Sequence, residues 1–370
     1  MWIHDWGFCM QRRLLTLAAG GAAALLARPA LAQSAPTIRW RMTSSFPKSL
    51  DLIYATGELF CRYVGELTDG RFRIQQAAAG EIVPALQAMD AVSGGGVEMA
   101  HTFAGYYIGK DVALQAAGSM PFLLNARQQH AWLQHGGGND MVNGLLAPYN
   151  IRAVPLGNTG NQMGGWFRKE LRSLADLTGL KMRISGIAGT IVSRLGAVPQ
   201  QLAAGDIYPA LERGTIDAVE FLGPYDDARL GFNKVAPFYY FPGWGEGGAV
   251  FHAFVNEARW RELPPAYRNA IEVAAAAASP WMLSSYDYRS PAALRRLVAE
   301  GAQLRAFPPE IINAAFQATR ELIAETSAAN PRFKAIVESQ TEFRDQSIAY
   351  MQVAELPFDN TVLRLLRSTR

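Results

Sequence analysis

The sequence predicts an α/β protein of two lobes followed by a helical segment. Three observations carry that prediction. Short apolar runs with period-2 alternation take turns with longer stretches of helical spacing over residues 37–102, the β-α-β-α-β order of a parallel sheet with helices on both faces. A second set of strand-like runs begins at Ile151 and follows the same outline, without any repeat in sequence. From Pro264 onward the pattern is mostly helical, and residues 333–353 are long enough for one amphipathic helix.

Taken in order, residues 37–42 alternate as a first strand, and Thr43-Ser44-Ser45-Phe46-Pro47 ends it as a polar loop. A helix is expected over 50–68, where Leu52, Ala55, Leu59, Val64 and Leu67 fall near helical spacing. Asp69-Gly70 turns the chain into a second strand at Phe72-Arg73-Ile74-Gln75. Another helix is expected from Gly80 through Ala91, stopped by Gly94-Gly95-Gly96 before a third strand at 97–102.

In the second set, residues 151–156 form a strand with Gly157-Asn158-Thr159-Gly160-Asn161-Gln162 at its end. Leu180, Met182 and Ile184 then alternate with Lys181, Arg183 and Ser185, the period of a half-buried strand, and a helix follows over 190–195. Arg183 therefore sits near the carboxyl end of a strand, the edge at which open α/β sheets bind ligands. Residues 205–211 read as a cap and a short helix, and 214–220 as a strand that ends in the carboxylate Glu220.

The 370 residues, 49% hydrophobic and 18% charged, suit one large or two ordinary globular domains. The longest apolar run, 14–26, is too short to span a bilayer. It follows Arg12-Arg13 and precedes Ala30-Leu31-Ala32, so residues 1–32 read as a secretory signal peptide. The paired arginines allow twin-arginine export, ordinary Sec export stands beside it, and Met10 can serve as the start. Cleavage removes Cys9 and leaves Cys61 alone, so no intramolecular disulfide forms. It also removes Arg12, Arg13 and Arg28 against Asp5, which takes the net charge from +3 to +1. Such a chain carries no footprint for nucleic acid or an anionic membrane. A soluble periplasmic protein is expected.

Gln162, Arg183, Glu220 and Glu246 share one property: each sits at a strand end or beside a Gly-rich turn. A guanidinium there offers a rigid fork for a carboxylate. Two nearby acids overcharge such a pocket unless a cation lies between them, and oxygen donors suit a hard cation. The bland alternative is an Arg183 surface ion pair and solvated acids. Catalytic patterns are missing. His101, His130, His135 and His252 lack zinc-ligand spacing, no G-x-S-x-G elbow or P-loop occurs, and Gly136-Gly137-Gly138 follows no strand. Trp166 and Trp244 read as core or pocket wall.

Six stretches carry a family resemblance. They are Ser44-Ser45-Phe46-Pro47-Lys48-Ser49-Leu50-Asp51, Gly157-Asn158-Thr159-Gly160-Asn161-Gln162-Met163-Gly164-Gly165-Trp166-Phe167-Arg168, Gly179-Leu180-Lys181-Met182-Arg183, Val198-Pro199-Gln200-Gln201, Gly205-Asp206-Ile207-Tyr208-Pro209-Ala210-Leu211-Glu212 and Gly223-Pro224-Tyr225-Asp226-Asp227. Over essentially the whole mature chain, the sequence resembles the solute receptors of tripartite ATP-independent periplasmic (TRAP) transporters, the DctP family. Within it, the chain looks most like the receptors for 2-oxo acids such as pyruvate.

That resemblance implies a two-lobed architecture like that of periplasmic binding proteins, with a ligand cleft between lobes and a long C-terminal helix. It implies 36–157 with 247–287 as one lobe, 158–246 with 288–330 as the other, and 331–370 as a helical segment able to exchange in a homodimer. It places the ligand carboxylate on Arg183 and a bridging sodium or calcium ion on Gln162, Glu220, the Phe221 carbonyl and Glu246. Gln162, Asn158, Tyr106, Tyr107 and Phe221 are expected on the substrate as well. The family's usual Trp is replaced by Phe221, at the cost of an indole N–H and some pocket volume. Implied partners are a small carboxylate and the small and large membrane permease subunits. Two alternatives stand beside this reading: a dicarboxylate or sugar-acid receptor, and a periplasmic lyase with Glu220 and Glu246 as acid and base.

Overall fold

The computed structural model describes residues 36–369, so the expected signal peptide lies outside the described residues. Two sheets organise the chain. The first contains β1 (Ile38–Ser44), β2 (Phe72–Ala77), β3 (Met99–Phe103) and β4 (Ile151–Asn158). The second contains β5 (Gly165–Phe167), β6 (Lys181–Arg183), β7 (Val198–Gln200), β8 (Ala218–Val219) and β9 (Phe238–Phe241). The chain then returns to the first sheet with β10 (Val250–Asn256) and ends in the second with β11 (Gln303–Ala306). The strand orders are β2-β1-β3-β10-β4 and β11-β9-β5-β8-β6-β7.

The first three strands run parallel, as their order predicts. Beyond those three strands both sheets are mixed. β10 lies antiparallel to both β3 and β4, and β5 lies antiparallel to β8 and β9. These pairings join residues far apart in sequence, so local periodicity carries no trace of them. The helix expected from Gly80 is corrected. Pro84 precedes a short 3-10 turn, Ala85–Gln87, and the helix proper is Ala88–Ser93.

Helix Asp51–Leu67 buries Leu52, Leu59 and Val64 of the expected stripe together with Ile53 and Phe60, whereas Ala55 is half-buried and Leu67, at the helix end, is exposed. The 35-residue helix Pro265–Ala299 buries Tyr267, Ala270, Ile271, Ala274, Ala278, Met282 and Tyr286 at steps of three and four. Its small residues let it lie close on β4 and on helix Asp51–Leu67, and it also reaches helix Pro224–Leu230 below the second sheet. One core runs through both lobes and includes Phe46, Ile53, Phe103 and Phe251 with Trp166, Ile207, Phe221 and Tyr239. The lobes are thus closed against each other. Helices Pro309–Ala329 and Pro331–Met351 place Ala315, Leu322, Phe333 and Val337 in a second core beside the first sheet.

Candidate functional site

The chain passes from the first sheet to the second over residues 159–164 and returns over 242–249, and both passages run beside the lobe junction. Thr159 and Ala249 tie them together: the Thr159 N–H donates to the Ala249 carbonyl at 3.2 Å, and the Ala249 N–H donates to Thr159 Oγ1 at 3.0 Å. Gln162 lies on the first passage and Glu246 on the second. Gln162 Nε2 donates to Glu246 Oε2 at 2.9 Å. Because a carboxylate only accepts, this bond turns the amide nitrogen toward Glu246 and leaves Gln162 Oε1 buried with no hydrogen-bond partner.

Arg183 ends β6 in the second sheet and is 1% exposed. Its Nη1 donates to the Glu220 carbonyl at 2.6 Å and its Nε to the Leu202 carbonyl at 3.4 Å, while the guanidinium lies 4.8 Å from the Phe221 ring centre. The alternation of 180–185 meets a different environment from the one it suggests. Arg183 and Ser185 face a cavity instead of open solvent, so residues 182–185 are buried on both faces while Lys181 stays exposed.

The cavity is a small one, about 310 Å³ of non-atom space with its open mouth included. It brings Gln162, Arg183, Glu220, Phe221 and Glu246 together with Tyr106, and Phe46, Ile53, Phe103 and Phe251 form an apolar wall from the first lobe. Ser185 completes the polar set; its hydroxyl is buried without a partner. Sequence reasoning missed Ser185, although it shares the parity of Arg183 two residues earlier.

Two expected ligand residues are placed elsewhere. Tyr106 and Tyr107 follow each other in the 3-10 turn Ala104–Tyr107, so their side chains diverge. Tyr107 OH bonds Thr102 Oγ1 at 2.7 Å and its ring packs near Phe254, inside the first lobe. Asn158 has both amide ends engaged: Nδ2 donates to Gln129 Oε1, on helix Ala126–His135, at 2.7 Å, and Oδ1 accepts from the Gly160 N–H at 2.9 Å. The amino terminus of helix Gly186–Arg194 is also engaged, because the Ile187 N–H donates to Gln115 Oε1 of the first lobe at 3.0 Å. Gly186 permits this approach with φ +65; a Cβ there would lie 2.0 Å from that oxygen.

The charges of the cavity are unbalanced in a specific way. Among the described residues Arg183 forms no ion pair, and neither Glu220 nor Glu246 lies within ion-pair distance of a basic group. Burial pushes the Glu220 carboxyl up to about 7 and Glu246 well above the usual range, and Glu220 raises Glu246 further by repulsion. Burial likewise pushes the Tyr106 phenol up to about 12. No cluster of three His, Cys, Asp or Glu side chains occurs among the described residues. The oxygen donors here are instead two carboxylates, the unpartnered Gln162 Oε1 and the backbone at Phe221. That donor set fits a hard cation, which would relieve both the raised carboxyls and the orphaned amide oxygen.

Comparison with known proteins bears on what such a cavity serves. Residues 43–330 match the family model DctP, bacterial extracellular solute-binding protein, family 7. The chain belongs to the DctP family. A monocarboxylate 2-oxoacid-binding periplasmic protein of Nostoc sp. is 47% identical over 325 residues, 88% of this chain and 89% of that protein. The crystal structure of a TRAP transporter solute-binding protein from Bordetella bronchiseptica is 50% identical with TM-score 0.89, covering 90% of this chain and all of that one. It is a mixed-occupancy dimer with copurified calcium and picolinate in one active site and the other site apo. A TRAP solute-binding protein from Pseudoalteromonas atlantica, 34% identical with TM-score 0.84, covers 88% of this chain and 99% of its own; it holds sodium and pyruvate. Proteins of this DctP family are extracytoplasmic solute receptors, which sets aside the lyase alternative. No helix among the described residues is long and apolar enough to cross a membrane.

Proposed function

We propose that this chain is the periplasmic receptor of a TRAP transporter and captures a small 2-oxo or 2-hydroxy monocarboxylate together with sodium or calcium. One observation carries the reading. A buried, unpaired Arg183 and two buried carboxylates line the same small cavity, with an amide oxygen beside them that has no partner. Buried charges persist only when something compensates them, and a carboxylate ligand with a cation compensates all of them at once.

In this reading the Arg183 fork holds the ligand carboxylate, and Tyr106 and Ser185 supply hydroxyls to its polar end. Phe46, Phe103 and Phe251 face its carbon end and exclude water. Gln162 Oε1, Glu220, Glu246 and the Phe221 carbonyl would hold the cation, which supplies the positive charge that two neighbouring carboxylates lack. Closure of the lobes lowers the local dielectric and strengthens the Arg183 contact. The small size of the cavity, with Arg183 as the cationic side chain among its lining residues, favours a monocarboxylate over a dicarboxylate or sugar acid. A signal peptide over 1–32 would export the chain, and the membrane permease subunits would receive the ligand. Phe221 in place of the family's Trp bears on which acid fits.

The carboxyl-terminal helix Glu355–Ser368 exposes Leu356, Phe358, Val362, Leu363, Leu365 and Leu366. Together with the dimeric relative, that apolar surface supports a homodimer covered through this segment.

Calorimetric titration of pyruvate and longer 2-oxo acids, with Na⁺, Ca²⁺ or chelator present, tests the assignment. Binding that requires the cation is expected. Binding indifferent to cations would remove Glu220 and Glu246 from their assigned role, and a preference for dicarboxylates would replace the substrate class.

A further inference from the structure

Glu246 lies in an irregular ribbon, Pro242-Gly243-Trp244-Gly245-Glu246-Gly247-Gly248, in which four glycines surround one acid and one large side chain. The glycines let the ribbon thread between two other backbones. A Cβ at Gly243 would lie 2.3 Å from the Gln162 carbonyl, and one at Gly247 would lie 2.5 Å from the Leu124 carbonyl. Glycine supplies this closeness but no rigidity of its own, and the carboxylate must still be held beside Gln162. Gln129 Nε2 fixes the far end by donating to the Gly248 carbonyl at 2.7 Å.

At the near end the anchor is Trp244, and Phe122 holds it twice. The Phe122 N–H donates to the Trp244 carbonyl at 3.2 Å, and the two rings stack with centroids 5.5 Å apart and planes 14° from parallel. Phe316 closes the far side edge-on, its centroid 5.3 Å from that of Phe122. Phe122 adopts φ +57, a left-handed conformation costly for a bulky residue and sustained only where the surroundings over-determine it. Core burial does not explain that strain. Phe122 is only partly buried and Phe316 is 45% exposed, so this is a stack near the surface.

We propose that Phe122 is a positioning residue for binding: by clamping Trp244 it fixes the ribbon 242–248, and with it the Glu246 carboxylate against Gln162. The proposal rests on the reading of Glu246 as a cation-holding residue. Outer partners of metal-holding side chains act in this way, and their loss typically costs about 10- to 100-fold in metal affinity.

The test is a Ca²⁺ titration of cation-stripped protein at saturating pyruvate, with the melting temperature of the stripped protein measured alongside. Three variants separate ring from backbone. Phe122→Tyr keeps the ring, Phe122→Leu keeps apolar volume without it, and Phe122→Gly removes it while relaxing the left-handed backbone. The half-saturating Ca²⁺ concentration is expected to rise about tenfold or more in the Leu and Gly variants and to be restored to near the parent value in the Tyr variant. Gly and Leu variants that melt lower but titrate like the parent would overturn the proposal and leave Glu246 in its role. A parent protein whose pyruvate binding ignores Ca²⁺ would overturn the reading of Glu246 and this proposal together.

Discussion

Arg183 and Glu220 are joined at both ends of the arginine. The Arg183 carbonyl accepts from the Glu220 N–H at 2.9 Å, and its Nη1 donates to the Glu220 carbonyl at 2.6 Å. The guanidinium and the carboxylate are therefore placed by one main-chain bond and one bond from the Arg183 side chain to the Glu220 main chain, while guanidinium and carboxylate do not pair. An Arg–Glu salt bridge would satisfy both groups and leave nothing for a ligand. Bonding the guanidinium to main-chain carbonyls through Nη1 and Nε, and not to the Glu220 carboxylate, leaves Nη2 and the carboxylate available.

Arg183→Lys keeps the charge and loses the fork. Ligand affinity is expected to fall by about 2 kcal/mol, or about thirtyfold, the scale of a hydrogen bond to a charged group. Arg183→Ala is expected to abolish measurable binding. Near-normal affinity of either variant by calorimetry would remove Arg183 from the ligand.

Glu220→Gln separates binding from stability. The substitution removes a charge that burial disfavours, so the cation-free variant is expected to melt higher than the parent at about pH 8. The cation dependence of ligand binding is expected to weaken at the same time. A variant that melts lower without cation would show that the carboxylate is a structural partner.

The pH dependence has two limbs of opposite sign. Burial pushes Asp226 and Asp227 up to about 7, so their contribution to stability is present below the unfolded value near about 4 and is lost as pH rises through about 7. Asp226→Asn should therefore gain in melting temperature on the parent from about pH 5 to about pH 8. Burial pushes His252 down to about 3, so its contribution is present above about 6.5 and is lost as pH falls. His252→Leu should gain on the parent from about pH 7 to about pH 4.5. Differences that stay flat with pH would refute either assignment.

A contact outside the cavity also bears on affinity. Tyr225 OH donates to Asp51 Oδ2 at 2.9 Å and accepts from Arg289 Nη1 at 2.9 Å, and Arg229 Nε lies 3.2 Å from Asp51 Oδ1. Asp51 opens a helix beside the first sheet, while Tyr225 belongs to a helix beneath the second, so the contact latches the closed form. Tyr225→Phe is expected to weaken ligand binding by about 1 kcal/mol, or about fivefold, and small-angle scattering should show a more open unliganded protein. Unchanged affinity would rule out the latch.

Truncation after Gln352 removes the exposed apolar face of helix Glu355–Ser368. A monomer is expected by light scattering, against a dimer for the parent. A dimer that persists would place the interface elsewhere.

Much was legible in the chain itself. The parallel order of the first three strands, the helix over Asp51–Leu67 and the helix at Pro331–Met351 follow from local periodicity, because an amphipathic element writes its buried face into its own spacing. The strand-end position of Arg183 and the passage residues Gln162 and Glu246 were equally readable. What local pattern does not carry is which surface a polar face meets. Arg183 and Ser185 alternate as solvent-facing residues do, and only the closing of one lobe on the other turns that face into a cavity wall. Tyr106 and Tyr107 are equivalent as neighbours in sequence, and the path of a 3-10 turn sends one to the cavity and the other into the core. The insertion of β10 between β3 and β4 and the clamp of Phe122 on Trp244 join residues roughly 90 to 160 positions apart. Residue chemistry and local period set the elements and the candidate charges; long-range pairing, whose partners leave no mark on each other's spacing, decided which of those charges meet.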